Sequence, residues 1–255
     1  MLELRDHKES VFVTLTYDND HVPIVTSPSG NPVMTLDKRD FQLFMKRLRK
    51  SLGEQKIRYY ACSEYGPQTY RPHYHAIIFG YCPVDLRPFS KSPQGYQYYV
   101  SDTLTNIWSK GHVLIGEVSW ETCAYTARYI ASKYLGEMSS FYTEQGIEPP
   151  MSFMSRRPGI GGNLYARDPD FFEAGSYYLS TDYGSKEIRI PKYFLNKLSV
   201  DFPEKYDKIK ADRKQKAELL QREKNLASGL LPGQQRELDE AAQLARASSL
   251  ERRFI

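Results

Sequence analysis

The sequence predicts an α+β fold: an antiparallel sheet in the order βαββαβ, a ferredoxin-like core, followed by a helical C-terminal appendage. Two observations in the first half of the chain favour this fold. Short β-branched and aromatic runs alternate with helical periodicities, and a turn-rich segment joins two of the runs into a hairpin. Beyond residue 200, the chain has the polar, charged composition of solvent-exposed helices. We expect the helices of the core to cover one face of the sheet and to leave the other face free for a ligand.

The first elements follow from local composition. Residues 11–17 are β-branched and aromatic and are followed by polar turn residues, which predicts a strand. Turn formers between residues 26 and 32 predict a small hairpin at the rim of the sheet. Apolar residues from Phe41 to Leu52 recur with helical spacing after Thr35 or Asp37, either of which can cap a helix with one basic face.

The remaining core elements are predicted from the same signals. Residues 65–72 are turn formers between two apolar runs, which predicts an antiparallel hairpin, and a proline-containing loop follows it. The predicted elements are strands 57–63 and 73–80, a helix capped by Ser101 or Asp102 and ending at Gly111, strand 112–118 and a helix over residues 121–135.

The rest of the chain divides into an irregular region and a helical one. Residues 136–200 are rich in glycine and aromatic residues and carry no clear periodicity, whereas residues 201–227 and 234–246 look helical. We therefore expect one domain over residues 1–200, with its core at 11–135, and a helical appendage over 201–255. The absence of a GxxxxGK[ST] sequence argues against an NTPase or helicase domain in this chain.

Composition excludes several classes of protein. The 255 residues include 35 Lys and Arg against 31 Asp and Glu, and this net charge of +4 permits a polyanionic partner without requiring one. The 3 cysteines are scattered, which argues against a disulfide framework and a zinc knuckle. A charged N-terminus and the lack of a long apolar stretch predict a protein of a reducing cytoplasm, with no membrane contact.

A metal site is predicted on the hairpin. His73 and His75 lie two residues apart on a predicted strand, so their imidazoles point to the same face. A symmetric hairpin places Glu64 opposite His73 and on that same face, with Glu117 as the fallback third ligand. Two imidazoles and one carboxylate suit Mg²⁺, Mn²⁺ or another divalent ion that keeps open positions. The alternative is an ordinary pair of surface or core histidines.

A second group of chemically active residues lies on the last core helix. Tyr125, Tyr129 and Lys133 recur every four residues, which places them along one helix face. A tyrosine hydroxyl can attack phosphorus and retain a covalent link, provided that a metal and a cation such as Lys133 or Arg128 offset its high pKa. The alternative is a packed aromatic stripe beside a solvated lysine.

Taken together, the two groups resemble a known family. His73-Tyr-His75 resembles the metal-binding motif of HUH endonucleases, and Tyr125-xxx-Tyr129 resembles the two-tyrosine motif of their rolling-circle replication initiators. Over about residues 11–165, the resemblance is closest to the replication initiators of gokushoviruses, which are small single-stranded DNA phages of the Microviridae. The matching segments are 12–17, 38–49, 63–66, 71–75 and 155–161.

The resemblance implies an activity. One tyrosine would nick single-stranded DNA at a phage origin and form a 5′-phosphotyrosine link, leaving a 3′-OH for a host polymerase. The second tyrosine would help to cut and rejoin each unit-length circle without ATP. The implied partners are the origin DNA, the host polymerase and a host helicase, and the implied location is the cytoplasm of a bacterial host.

Residues for DNA contact are predicted around the site. Aromatic side chains on which bases stack and cations that follow phosphates are typical of single-strand binding. The predicted DNA-binding residues are Thr14, Thr16, Tyr70, Arg71, Arg128, Arg156 and Arg157. Three alternatives stay open: a noncatalytic single-stranded nucleic-acid-binding module, an HUH transposase or relaxase, and a different metallohydrolase.

Overall fold

The computed structural model describes residues 1–92, 95–134, 138–181 and 184–251. Side chains are described for these residues except at 128–134, 138–139, 180–181, 232 and 246–251. The chain divides into two compact units, Met1–Leu164 and Tyr165–Ile255. The sequence-based domain limits at residues 200 and 201 lie elsewhere and stay a prediction.

The first unit is built on an antiparallel sheet. Its strands are β1 (Ser10–Tyr17), β2 (Ile24–Thr26), β3 (Pro32–Met34), β4 (Arg58–Tyr65), β5 (Pro72–Phe79), β6 (Arg87–Lys91), β7 (Gln97–Val100), β8 (Gly111–Gly116) and β9 (Ser152–Met154). Its helices are α1 (Lys38–Ser51), α2 (Asp102–Trp108), α3 (Trp120–Tyr134) and α4 (Met138–Gln145). Seven strands form one sheet in the order β6-β7-β8-β1-β5-β4-β9, while β2 and β3 form a separate hairpin.

The central four strands confirm the predicted α+β fold. Their spatial order β8-β1-β5-β4 is the order expected when a βαββαβ chain folds into one antiparallel sheet. The Asp37 side chain caps α1 by accepting a hydrogen bond from the Arg39 amide, and Ser101 caps α2 in the same way through Leu104. Asp37 and Ser101 are therefore the N-caps among the alternatives that the sequence left open.

Helices α1 and α2 cover one face of the sheet. Phe41, Phe44 and Leu48 of α1 are fully buried there, together with Trp108 of α2. The helix pair is also tied by Arg47, whose guanidinium donates to the Ile107 and Trp108 carbonyls. This face holds the hydrophobic core, because its aliphatic and aromatic side chains are shielded from water between the helices and the sheet.

Tyr74 connects this core to the strand that carries the two histidines. Strand alternation predicts that Tyr74 points away from His73 and His75, and the structure confirms this, since Tyr74 is fully buried in the core. Its hydroxyl donates to the Asp37 carbonyl at 2.6 Å, accepts from the Asp37 amide at 3.1 Å and lies 3.1 Å from the Tyr17 hydroxyl. The side chain thereby fixes β5 against the start of α1.

Replacing Tyr74 by phenylalanine is expected to lower the free energy of unfolding by about 2 kcal/mol, because buried polar groups on Asp37 and Tyr17 lose a partner. Urea denaturation followed by circular dichroism measures this change. Tyr96→Phe is the matched control, since Tyr96 is exposed and should change the free energy by less than about 0.5 kcal/mol. Equal effects of the two substitutions would contradict a structural role of the Tyr74 hydroxyl.

Two sequence expectations about the first unit are wrong. The segment around Pro88, expected to be a loop, forms the hairpin of β6 and β7 at one edge of the sheet. The expectation of helices on one face fails for α3, because Tyr125 packs against Phe12, Ile77 and Phe79 on the opposite face. That face is therefore partly covered and carries the predicted site.

The second unit holds most of the segment that was expected to be irregular. Helix α5 (Gly162–Arg167) spans the boundary, and the two-stranded sheet of β10 (Ser176–Thr181) and β11 (Gly184–Arg189) lies within the second unit. The expectation of an irregular region is thus wrong for these residues, as it is for α4 and β9 in the first unit. An aromatic cluster forms where the Phe172 and Phe194 rings stack with centroids 4.5 Å apart.

The C-terminal helices agree with the sequence. They are α6 (Lys192–Asp201), α7 (Pro203–Ser228) and α8 (Pro232–Glu251). The last two form a hairpin in which Lys224 Nζ lies 2.6 Å from Asp239 Oδ1. Among the described residues, no helix has the length and apolar content needed to cross a membrane.

Candidate metal and tyrosine site

The hairpin of β4 and β5 brings Glu64, His73 and His75 together. In the observed antiparallel register, Glu64 is paired with His73, and Cys62 is paired with His75. Residues that face each other across an antiparallel pair share a face, so the three side chains lie on the sheet face opposite Tyr74. The predicted register is confirmed, because the turn between the strands keeps the hairpin symmetric.

The three side chains form a tight cluster around one carboxylate oxygen. Glu64 Oε1 lies 2.9 Å from His75 Nε2 and also contacts His73 Nε2. The ligand atoms of the three residues all lie within 4.8 Å of one another, which no other set of His, Cys, Asp and Glu in the described part of the chain achieves in a group of three or more. Glu117, the fallback ligand, is exposed and lies outside this group.

Each histidine is oriented through its other ring nitrogen. His73 Nδ1 lies 3.0 Å from the Arg71 carbonyl oxygen, which can only accept, so His73 Nδ1 donates. His75 Nδ1 lies 2.9 Å from Thr14 Oγ1, and the His75 ring stacks on Phe12 with centroids 5.5 Å apart. Such partners fix the ring and, for His73, leave the Nε2 lone pair available to a metal ion.

The charge state of the cluster suits metal binding. Burial opposes ionisation of Glu64, but hydrogen bonds from His73 and His75 outweigh it and lower the pKa of the carboxyl. Burial also lowers the pKa of His75, against the opposing effect of Glu64. Ionised carboxylate and neutral imidazole are the forms that bind divalent cations.

A buried oxygen in the cluster also points to a cation. Glu64 is 2 % exposed, and its Oε2 atom has no hydrogen-bond partner among the described residues. An ionised oxygen held away from water without a donor is costly, and a cation would satisfy it. The residues present therefore fit a divalent metal ion, as the donor set of one carboxylate and two imidazoles predicts.

Tyr125 of α3 reaches the same carboxylate. Its hydroxyl donates to Glu64 Oε1 at 3.0 Å and lies 3.5 Å from His75 Nε2, and its ring meets the His75 ring edge to face at 5.1 Å. Burial and, after it, the Glu64 charge raise the pKa of Tyr125. The hydroxyl is therefore protonated at neutral pH and is aimed at the centre of the cluster.

The other residues predicted on α3 lie partly outside the described structure. The backbones of Arg128, Tyr129 and Lys133 belong to the helix, but their side chains are outside the described residues. Their predicted roles stay predictions.

The predicted DNA-binding residues divide into two groups. Thr14 and Thr16 face the site, paired with His75 and His73 respectively, and Thr14 contacts His75 directly. Arg71 is engaged in the fold, since its guanidinium donates to the Tyr17 and Asp18 carbonyls and to Asn19 Oδ1. Arg71 thus holds the turn that follows β1, an attachment that the sequence did not reveal.

The remaining predicted contacts are solvent-exposed. Tyr70 is 53 % exposed and lies beside Phe141, with ring centroids 6.2 Å apart. Arg156 and Arg157 are exposed in the segment after β9. Their exposure leaves all three side chains accessible to a ligand.

Sequence reasoning missed Phe12 as part of the site. Phe12 stacks on His75 and lies on the same strand face as Thr14. The signal was present, because the alternation that places Thr14 and Thr16 on one face also places Phe12 there. A full application of the two-residue period would have found it.

Comparison with known proteins places these residues in a family context. A family model described as Replication-associated protein ORF2 matches residues 10–134, a range that contains the whole hairpin and α3. No solved structure matches the chain.

Three curated relatives also match. The chain is 33% identical over 231 residues to Replication-associated protein ORF2 of Spiroplasma virus 4, covering 87% of this chain and 69% of that protein. It is 29% identical over 230 residues to Replication-associated protein VP4 of Bdellovibrio phage phiMH2K, covering 86% and 68%. It is 32% identical over 145 residues to Replication-associated protein ORF4 of Chlamydia phage 1, covering 52% and 33%. The resemblance to phage replication initiators is thus confirmed, and the chain belongs to the ORF2 family of replication-associated proteins.

Proposed function

We propose that the protein initiates rolling-circle replication by nicking single-stranded phage origin DNA through a tyrosine nucleophile and later rejoining the ends. The observation that carries the proposal is the hydrogen bond from the Tyr125 hydroxyl to Glu64 Oε1, the atom that both histidines contact. A nucleophile and a metal-binding cluster thereby share one atom. The family membership supports a role in replication.

Glu64, His73 and His75 would hold the divalent ion, either Mg²⁺ or Mn²⁺. When bound, such an ion supplies Lewis-acid polarisation of a phosphate oxygen. The chain's own contribution is to orient the imidazoles through Arg71 and Thr14 and to keep the carboxylate ionised.

Tyr125 would carry out the covalent step. Its Oη forms a bond to phosphorus while the bond from phosphorus to the 3′-oxygen breaks, and the leaving oxygen takes up a proton as a free 3′-OH. The 5′-phosphate stays on the tyrosine, and a host polymerase extends the 3′-OH in the host cytoplasm. Tyr129 would act as the second nucleophile that releases and rejoins a unit-length circle, with Lys133 or Arg128 offsetting phosphate charge.

The proposal is tested by covalent capture. The protein is incubated with 5′- or 3′-labelled single-stranded oligonucleotides of randomised sequence, with Mn²⁺ or with EDTA, and run on a denaturing gel. We expect a protein-linked 3′-labelled fragment and a free 5′-labelled fragment in Mn²⁺ only, and neither in His73→Ala or in the double variant Tyr125→Phe, Tyr129→Phe. DNA that binds but never becomes covalent with any divalent ion would overturn the proposal and favour a noncatalytic binding module.

Thr14 offers a smaller test of the metal site. Thr14→Val removes the hydroxyl that contacts His75 Nδ1 while keeping the shape of the side chain, so we expect Mn²⁺ affinity to fall about tenfold. Calorimetric titration of EDTA-treated protein measures the affinity. Thr16→Val is the matched control on the same strand face and should change it less than about twofold. Equal losses would contradict a specific contact to His75.

A further inference from the structure

The segment after β9, residues 155–161, lies on the sheet face that carries the site, and we call it the arginine loop. At its start, the Ser155 amide donates to the Tyr59 carbonyl at 3.0 Å, and Ser155 Oγ accepts from the Tyr59 amide at 3.1 Å. Near its end, Ile160 packs against the buried cluster of Phe12, Ile77 and Phe79. The loop is thus attached to β4 at one end and to the site face at the other.

A buried carboxylate closes the loop. Glu3, in the N-terminal 3-10 helix, is fully buried, and its Oε2 accepts from the Gly161 amide. Its Oε1 is paired with Arg58 and lies 3.1 Å from His7 Nε2. Both carboxylate oxygens are therefore used, one of them on the backbone of the loop.

Arg58 joins the same carboxylate to the middle of the loop. Its Nε donates to Glu3, while its Nη2 donates to the Pro158 carbonyl at 2.8 Å and to the Gly159 carbonyl at 2.9 Å. A buried ion pair is worth its desolvation only when its remaining donors and acceptors are satisfied. Here the loop backbone satisfies them, so the ion pair and the conformation of the loop depend on each other.

The loop and the tyrosine share a platform. Ile160 and Tyr125 both pack against the cluster of Phe12, Ile77 and Phe79, so the position of the loop is coupled to the part of the face where Tyr125 lies. Arg156 and Arg157 are exposed, and within the described structure neither guanidinium is in an ion pair with a carboxylate. Two free cations are thereby presented on a loop that is held rigidly beside the site.

We propose that Glu3 is a positioning residue for DNA binding, and that through Arg58 and the Gly161 amide it fixes the arginine loop so that Arg156 and Arg157 bind backbone phosphates of the single strand next to the one that is cut. The inference rests on the proposed function for its substrate. Guanidinium groups bind phosphate in a forked geometry that depends on orientation, and this explains why the loop needs a rigid anchor.

The test measures binding of a fluorescent single-stranded oligonucleotide of randomised sequence in EDTA, by anisotropy at several salt concentrations. The double variant Arg156→Ala, Arg157→Ala is expected to raise Kd about tenfold and to reduce the salt slope by about 1.4, the contribution of two phosphate contacts to a single strand. Glu3→Gln, with both arginines intact, is expected to reproduce most of this change. Combining Glu3→Gln with the double variant should then add less than about twofold.

Two further variants keep the test decisive. Lys46→Ala, Lys50→Ala removes two exposed cations from α1 on the opposite face, an equal change in charge that should leave the salt slope near the wild-type value. Where thermal melting shows that Glu3→Gln does not fold, Arg58→Lys replaces it, since lysine keeps the charge next to Glu3 but cannot also span the two loop carbonyls. Wild-type affinity and slope in the anchor variant, or an effect that adds in full to loss of the arginines, would overturn the inference.

Because these measurements need neither a metal nor a nucleophile, they separate this inference from the proposed function. Loop-dependent binding without any covalent adduct would contradict the nicking activity and leave the role of Glu3 intact. Covalent adducts with unchanged binding in all the anchor variants would do the reverse.

Discussion

Glu64→Gln is expected to abolish divalent-cation binding and to reduce covalent DNA adduct formation by about 10³-fold or more. Glu64 is the only carboxylate in the described Glu-His-His cluster, and its Oε2 atom has no other partner among the described residues. Glutamine keeps the size of the side chain and an oxygen that can accept from Tyr125. The substitution therefore removes the charge that a cation requires while preserving the packing.

Calorimetric titration with Mn²⁺ and the adduct gel measure the two effects, and thermal melting checks that the variant folds. Glu117→Gln is the matched control, because Glu117 is an exposed carboxylate just beyond β8 and was the alternative third ligand. We expect it to change Mn²⁺ affinity less than about twofold. Loss of binding in Glu117→Gln, with binding kept in Glu64→Gln, would reverse the assignment of the ligands.

The metal cluster was predictable because it depends on local geometry. His73 and His75 share a face through strand alternation, and Glu64 faces His73 through the symmetry of a short hairpin. The same alternation placed Tyr74 in the core. Each of these relations spans fewer than about a dozen residues, over which the turn and the two-residue period leave little freedom.

Long-range relations were not predictable from those signals. Tyr125 reaches Glu64 because α3 crosses onto the face opposite α1, and helical periodicity on its own does not state which face of a sheet a helix covers. The strands β6 and β9 were missed since proline, glycine and polar residues dominate their surroundings, and pairing with neighbouring strands overrides that composition. The Glu3 anchor joins residues far apart in sequence and carries no local pattern.

Tyr125→Phe is the second substitution with a large expected effect, loss of the first covalent adduct by about 10³-fold or more. The hydroxyl is the only group removed, and the phenylalanine ring can keep the edge-to-face contact with His75 and the packing on Phe12. Glu64 keeps its contacts with both histidines. We therefore expect Mn²⁺ affinity and single-strand affinity to stay within about threefold of the wild-type values.

This combination distinguishes the two residues, since Glu64→Gln is expected to lose both metal binding and chemistry, whereas Tyr125→Phe loses chemistry alone. Mass spectrometry of the nuclease-trimmed adduct identifies the linked residue in wild-type protein. Tyr129→Phe is the matched control on the same helix, four residues away, and should retain the first adduct while losing the release of rejoined circles. A full adduct in Tyr125→Phe, with none in Tyr129→Phe, would move the first attack to Tyr129, because the contact with Glu64 would then serve only to hold α3 on the sheet.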